Sequence, residues 1–154
     1  MTIRELIRKM NRFRPTSQEE FEDAISLNLV HLDSGCFREA YVIKGTRIVI
    51  KFNLDPAMKY HARREMRVIK RIFHRKSLRH LRRYVPKVYY QDYKNGVIVM
   101  ELLSKVGKIS AEAGGVIDQM FQDTFKRGGS DANYTNLGKN GRGQIKVLDL
   151  GCCG

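Results

Sequence analysis

The sequence predicts an α+β protein built on a five-stranded antiparallel sheet, with one helix inserted after the third strand. Three observations carry this expectation. Between residues 29 and 102 lie five short runs rich in β-branched and aromatic residues, each bounded by turn residues. A segment with apolar residues at helical spacing separates the third run from the fourth. Further helical periodicities flank the set, at residues 2–13, 17–27 and 110–126.

The elements follow in order. Residues 2–13 place Ile3, Leu6, Ile7 and Met10 on one side of a basic amphipathic helix, which Pro15 ends. Thr16 and Ser17, with Glu19 and Glu20 three residues on, offer a capping box for a second helix carrying Phe21, Ala24, Ile25 and Leu29. Residues 1–28 thus read as a helical brace. Leu29–Leu32 is the first strand, Asp33-Ser34-Gly35 a turn, Glu39–Ile43 the second strand, Lys44-Gly45 a tight turn and Arg47–Phe52 the third strand. Pro56 opens a helix over 56–75 with Ala62, Met66, Ile69 and Phe73 in one stripe. A short basic helix follows over 76–83, and Pro86 breaks the pattern. Val88–Asp92 and Val97–Leu102 pair through Lys94-Asn95-Gly96, because Asn-Gly favours the positive φ angles of a hairpin turn. A helix over 110–126 carries Ile117, Met120, Phe121 and Phe125, and Gly128-Gly129 stops it.

Composition narrows the class. The 154 residues suit one domain or two small lobes, and no apolar run approaches the roughly 20 residues of a membrane span. The N-terminal residues lack the apolar core of a secretory signal. Three cysteines, Cys36 and the adjacent Cys152 and Cys153, form no disulfide framework, which points to a reducing, cytoplasmic setting. The net charge of +13 is concentrated: Lys59 to Lys87 holds twelve Lys or Arg and three His, with Glu65 as its single acid. Such a run is either a solvated helix face or a surface for nucleic acid or an acidic protein.

Polar residues at suggestive intervals sit among these elements. Asp131, Asn136 and Asp149 look like a site that holds a metal and a phosphate. Lys51 lies near the end of the third strand. Glu65 lies on or beside the apolar stripe of the inserted helix, where a carboxylate needs a cation, either Lys51 or an arginine of the same helix.

The order of parts resembles the protein-kinase-like fold, over roughly residues 29–151. Residues 32–42, LDSGCFREAYV, are similar to the glycine-rich loop, and Val49-Ile50-Lys51 to the V-A-I-K strand. Glu65 falls where the helix glutamate pairs with that lysine. Met100-Glu101-Leu102-Leu103 looks like the hinge that holds adenine. Asp131 to Asn136 matches D-x-x-x-x-N, and Asp149-Leu150-Gly151 matches D-F-G with Leu for Phe. The resemblance implies a kinase-like lobe over 29–103 and a reduced helical C-terminal lobe over 104–154. It implies ATP and Mg²⁺ as cofactors. Gly35, Phe37, Arg38, Lys51, Glu101 and Leu103 would hold the nucleotide, Asn136 and Asp149 the metal, and Asp131 the acceptor hydroxyl, with Lys51 and Glu65 completing the catalytic set.

The sequence also departs from that pattern. Asp33 and Arg38 stand at two of the three loop glycines, so an acid faces the place of a phosphate while an arginine could grip it. Gly129-Ser130 replaces the His-Arg before Asp131. Only 27 residues separate Leu103 from Asp131, and the sequence ends three residues after Gly151, before an activation segment. The expectation is a minimal form whose acceptor site is absent, supplied by a partner or differently built. Two functions stand open: a phosphotransferase acting on a protein or a small hydroxylated substrate, or a catalytically silent module docking nucleic acid or an acidic protein through residues 59–87.

Overall fold

The computed structural model describes residues 1–34, 38–105, 114–117, 119–120 and 137–148. The chain is α+β. A five-stranded antiparallel sheet runs in the order β1 (Leu29–Ser34), β2 (Arg38–Ile43), β3 (Ile48–Asn53), β5 (Val97–Glu101), β4 (Val88–Asp92). Between β3 and β4 come a 3-10 turn (Pro56–Met58), helix α3 (Lys59–His74) and a 3-10 helix (Lys76–Tyr84). This is the strand count and helix insertion that the sequence predicts. By internal contacts the chain divides into two units, Met1–Ala62 with Lys87–Leu102, and Arg63–Pro86 with Leu103–Gly154.

In the first unit, helices α1 (Ile3–Phe13) and α2 (Gln18–Ile25) cover one face of the sheet. Thr2 and Glu5 form a reciprocal capping box at the start of α1, satisfying two backbone donors that the helix itself cannot. Arg14 ends α1 in the left-handed region, at φ 47°, and Pro15 follows. At α2 the expected box has a variant form. Ser17 Oγ accepts from Glu20 N–H, while the Glu20 carboxylate reaches back to Thr16. Lys9 Nζ donates to the Ile25 carbonyl at 2.9 Å, closing the far end of α2. Leu6, Met10, Phe21 and Ile25 pack with Tyr41, Ile43, Ile50, Phe52, Val97 and Val99 of the sheet. The Phe52 ring stacks on both Phe21 and Tyr41, with centroids 5.6 Å and 5.1 Å away. Burying a side chain such as Phe21 or Ile50 completely contributes roughly 2 kcal/mol each.

The β4–β5 hairpin turns on Asn95-Gly96, as its sequence predicts. Asp92 accepts from both the Asn95 N–H and its side-chain amide. Gly96 has φ +72°, and a Cβ there would collide with the Asn53 amide, which itself donates to the Asn95 carbonyl. Glycine is therefore required both by conformation and by close approach.

In the second unit, the buried residues of α3 include Glu65, Met66, Val68, Ile69 and Ile72. Phe73, expected on this stripe, is 49% exposed, and Ile72 takes the buried place. Arg82 meets this end of the helix. Its guanidinium donates to the Ile72 and Phe73 carbonyls at 3.2 Å and 2.7 Å and lies over the Phe73 ring. A cation thus satisfies the last carbonyls of the helix and complements its dipole, while the ring stays outside.

Three further elements correct the sequence reading. Strand β1 continues through Ser34, so Asp33 lies in a strand and not in a turn. The segment after α3 is a 3-10 helix. A second sheet, of β6 (Ser104–Lys105), β7 (Leu137–Lys139) and β8 (Ile145–Val147), stands where the sequence reading assigned no strand. These strands are two or three residues long, too short for alternation to announce them. Of the helix expected over 110–126, residues 114–117 and 119–120 are described, and they are helical.

Candidate functional site

The site is built on the face of the five-stranded sheet opposite α1 and α2. Successive strand residues point to opposite faces. On β3, Ile50 and Phe52 enter the core with the helices, so Val49, Lys51 and Asn53 take the other side. Lys51 stands opposite Ala40 on β2 and Ile98 on β5. Ala40 in turn stands opposite Asp33 on β1. Asp33, Ala40, Lys51 and Ile98 therefore form one row across four strands.

A bulge creates that row. The β1–β2 register shifts between His31 and Asp33. With the register of His31 and Tyr41 continued, Leu32 would oppose Ala40 and Asp33 would oppose Glu39, on the helical side. The extra residue turns Asp33 onto the face of Lys51 instead, the kind of re-aiming for which bulges are used. Two residues along β2, Arg38 opposes Asn53 on this same face and is 8% exposed. On the other flank of the polar row, Val30, Val42, Val49 and Met100 form an apolar row. Val30 is half exposed, whereas Val49 and Met100 are buried. An apolar strip beside a polar row suits a ligand with a flat apolar ring and a charged tail.

Glu101 and Leu102, at the end of β5, have a specific hydrogen-bond pattern. Glu101 N–H donates to the Lys87 carbonyl at 2.9 Å. The reciprocal ladder bond would run from Lys87 N–H to the Glu101 carbonyl. Instead Lys87 N–H donates to the Glu101 side chain, Oε1, at 2.8 Å. The carboxylate replaces its own main-chain carbonyl in the ladder. Leu102 bonds to Arg47 with both its backbone groups: its N–H donates to the Arg47 carbonyl at 2.8 Å, and its carbonyl accepts from the Arg47 guanidinium at 3.4 Å.

In the second unit, Glu65 is 1% exposed and Leu103 is 8% exposed. Leu103 lies against Gly138 of β7, where a Cβ would approach the Leu103 Cβ to 2.7 Å and the Ser104 carbonyl to 3.1 Å. The β7–β8 hairpin is closed by Asn140, whose side chain accepts from the Arg142 and Gln144 N–H groups. Leu137 opposes Val147 at its open end. Lys146 donates to the Arg83 carbonyl at 2.8 Å, joining β8 to the 3-10 helix.

Lys51 belongs to the first unit and Glu65 to the second. Gly35, Phe37, Asp131, Asn136 and Asp149 lie outside the described residues, as do Cys36, Cys152 and Cys153. Among the described residues, no group of three or more His, Cys, Asp or Glu side chains is placed to hold a metal ion. Nor is any described helix long and apolar enough to cross a membrane. A groove of about 490 Å³ lined by Arg8, Lys9, Arg12, Phe13 and Ala24 lies on the helical side, away from the face of Lys51. Burial raises the phenols of Tyr41, Tyr89 and Tyr90 above their ordinary value.

Sequence reasoning missed the row of Val30, Val42 and Val49, the commitment of the Glu101 carboxylate to Lys87, and the grip of Arg47 on Leu102. The strand alternation carried a signal for the first. The others depend on pairing between strands distant in sequence.

No family model matches the chain, and no curated protein matches it. Among solved structures, the chain is similar to one described as the streptomycin-ATP-APH(2")-IIa ternary complex, with 19% identity and a TM-score of 0.42. The match covers 70% of this chain and 35% of that one, so this chain spans about a third of that structure's length.

Proposed function

We propose that this chain binds ATP with Mg²⁺ in the manner of a minimal kinase-like protein and transfers phosphate to a protein or a small hydroxylated substrate. The observation that carries the reading is the position of Lys51: central on β3, on the face opposite the helical brace, with an apolar row on one side and Arg38 on the other. In this reading the adenine ring lies along the apolar row. The Glu101 carbonyl, relieved of its ladder bond, accepts from the adenine amino group, and Leu103 N–H donates to the ring. The Glu101 carboxylate is committed to Lys87 and holds the hinge instead of the base.

Lys51 and Arg38 neutralise phosphate charge, and Gly35 and Phe37 belong to the same set of nucleotide-holding residues. Glu65 is buried on α3, and a carboxylate buried that completely is stable when a cation compensates it. Asn136 and Asp149 are the residues that would hold the metal. Their oxygen donors suit Mg²⁺, a hard cation that shares its coordination with phosphate oxygens and neutralises them when bound. Asp131 orients the acceptor hydroxyl and accepts its proton. Phosphoryl transfer asks mainly for positioning and charge neutralisation, and this residue set is of that kind.

Thermal stabilisation by ATP tests the reading. At a hundredfold excess over Kd, a ligand of the native state adds about 2.7 kcal/mol. The wild type should show a Mg²⁺-dependent rise of several degrees in Tm, and Asp149→Asn and Lys51→Met should lose it. No rise in the wild type at millimolar ATP overturns the nucleotide site.

A second reading, a silent module that docks an acidic partner, is favoured by the exposure of the cations on α3 and the 3-10 helix. It requires none of Lys51, Asp131 or Asp149.

A further inference from the structure

We propose that the outward face of α3 and the following 3-10 helix binds the phosphate backbone of a nucleic-acid duplex. The inference stands independently of the nucleotide site.

The burial pattern sorts the cations of this segment into two sets. Along α3, Glu65, Val68, Ile69 and Ile72 are buried, and Arg67, Lys70, Arg71 and His74 are exposed. The exposed four follow each other at intervals of three, one and three residues, which places them on one side of the helix. The array continues through Arg75, Lys76, Arg79, His80 and Arg83, all exposed. Arg82 is different. It is turned onto the Ile72 and Phe73 carbonyls and holds the end of α3, so it serves the fold and not the surface.

No acidic residue occurs from Met66 to Val85. The surface therefore has the sign, density and extent of a polyanion site: α3 alone is about 24 Å long at 1.5 Å per residue. Duplex DNA presents a phosphate charge about every 1.7 Å of its axis, so one rigid helix can meet several phosphates at once. Arginine forks match phosphate oxygens and tolerate any sequence.

The chemistry of the surface favours a duplex over other partners. A docking site for an acidic protein is anchored by an apolar or aromatic residue that becomes buried in the complex. Among the described residues, two large apolar or aromatic side chains are exposed on this segment: Tyr60 in the first turn of α3, whose ring meets His61 edge-on, and Phe73, with the Arg82 guanidinium over its ring. Single strands are held by aromatic platforms. Here Tyr84 is partly buried beneath Arg83, while Tyr89 and Tyr90 pack against the core of the first unit. From Arg67 to Arg83 the exposed surface is an array of cations with one aromatic ring, Phe73, beneath Arg82, and backbone contact is what such an array supplies.

The test is fluorescence anisotropy with labelled 20-mers: duplex DNA, duplex RNA and a single strand, with polyglutamate and anionic lipid vesicles as further arms. Duplex binding should weaken by about a hundredfold or more between about 50 and about 200 mM salt. Lys70→Glu/Arg75→Glu/Lys76→Glu/Arg79→Glu should reduce affinity by about a hundredfold and flatten the salt slope by about four phosphates. These four side chains are exposed, so the variant should keep the wild-type Tm and circular dichroism, and its response to ATP should be unchanged. The proposal is overturned if duplexes fail to bind at low salt, or if the folded variant binds them as the wild type does. It is equally overturned if polyglutamate or vesicles bind more tightly than either duplex. Failure of ATP to stabilise the wild type would leave it standing.

Discussion

Asp33 and Lys51 stand in one row across the sheet, on neighbouring sides of Ala40. Two strand spacings, roughly 10 Å, separate their backbones. Both side chains belong to the face that carries the proposed phosphate site, and a bulge in β1 brings the acid there. In the proposed nucleotide-bound state, the carboxylate would compete with phosphate for the same cationic field.

Replacing this acid should strengthen nucleotide binding. Asp33→Gly and Asp33→Asn should each tighten ATP by roughly three- to tenfold, a modest gain because the acid is exposed and screened. Isothermal titration with Mg²⁺-ATP checks this. An unchanged or weaker affinity in both variants would show that Asp33 does not oppose the phosphates.

Glu101 should act on nucleotide affinity through the main chain. In Glu101→Ala, Lys87 N–H loses the carboxylate and can take up the ladder bond to the carbonyl of residue 101. One hydrogen bond replaces another, each with a net worth of about 1 kcal/mol, so Tm should move little. ATP affinity should fall about tenfold because the carbonyl is now engaged. A large loss of Tm with unaltered affinity would assign Glu101 to the fold alone.

Gly138 should tolerate no side chain. A Cβ would stand 2.7 Å from the Leu103 Cβ and 3.1 Å from the Ser104 carbonyl, which is backbone and cannot swing away. Gly138→Ala should destabilise by about 1–3 kcal/mol, the usual cost of overpacking. Urea unfolding followed by circular dichroism would measure it. The exposed turn glycine Gly143, whose Cβ would meet nothing within 4 Å, has φ +75° and would separate conformational cost from steric cost.

Stability should fall in alkali. Burial first, and the Glu39 carboxylate second, raise the phenol of Tyr41, whose hydroxyl donates to Glu39 at 3.2 Å. Burial likewise raises Tyr89 and Tyr90. The folded state thus keeps protons that the unfolded chain releases near the ordinary value of 10.0. Below that value the contribution is complete, and it is lost as pH rises toward the folded values. Tm should decline between about pH 9 and about pH 11, and Tyr41→Phe should decline less steeply. Equal slopes would contradict the assignment to Tyr41.

What was legible in the sequence was local. The helical period of α1 and α3, the Asn95-Gly96 turn and the β-branched runs each depend on neighbours within a few residues, and each appears where it was expected. Lys51 on the third strand and Glu65 on the apolar side of the inserted helix were legible for the same reason. Pairing between distant segments was decided only by the fold. Asp33 could be read as an acid in place of a glycine, but a one-residue bulge against β2 determines which face it takes, since the side-chain period in a strand is two. Arg82 reads as one more cation in a basic run until the end of α3 supplies two carbonyls for it. Phe73 likewise fits the helical stripe by spacing, yet Ile72 is buried and Phe73 is not, because packing selects among residues that a period of 3.6 leaves nearly equivalent.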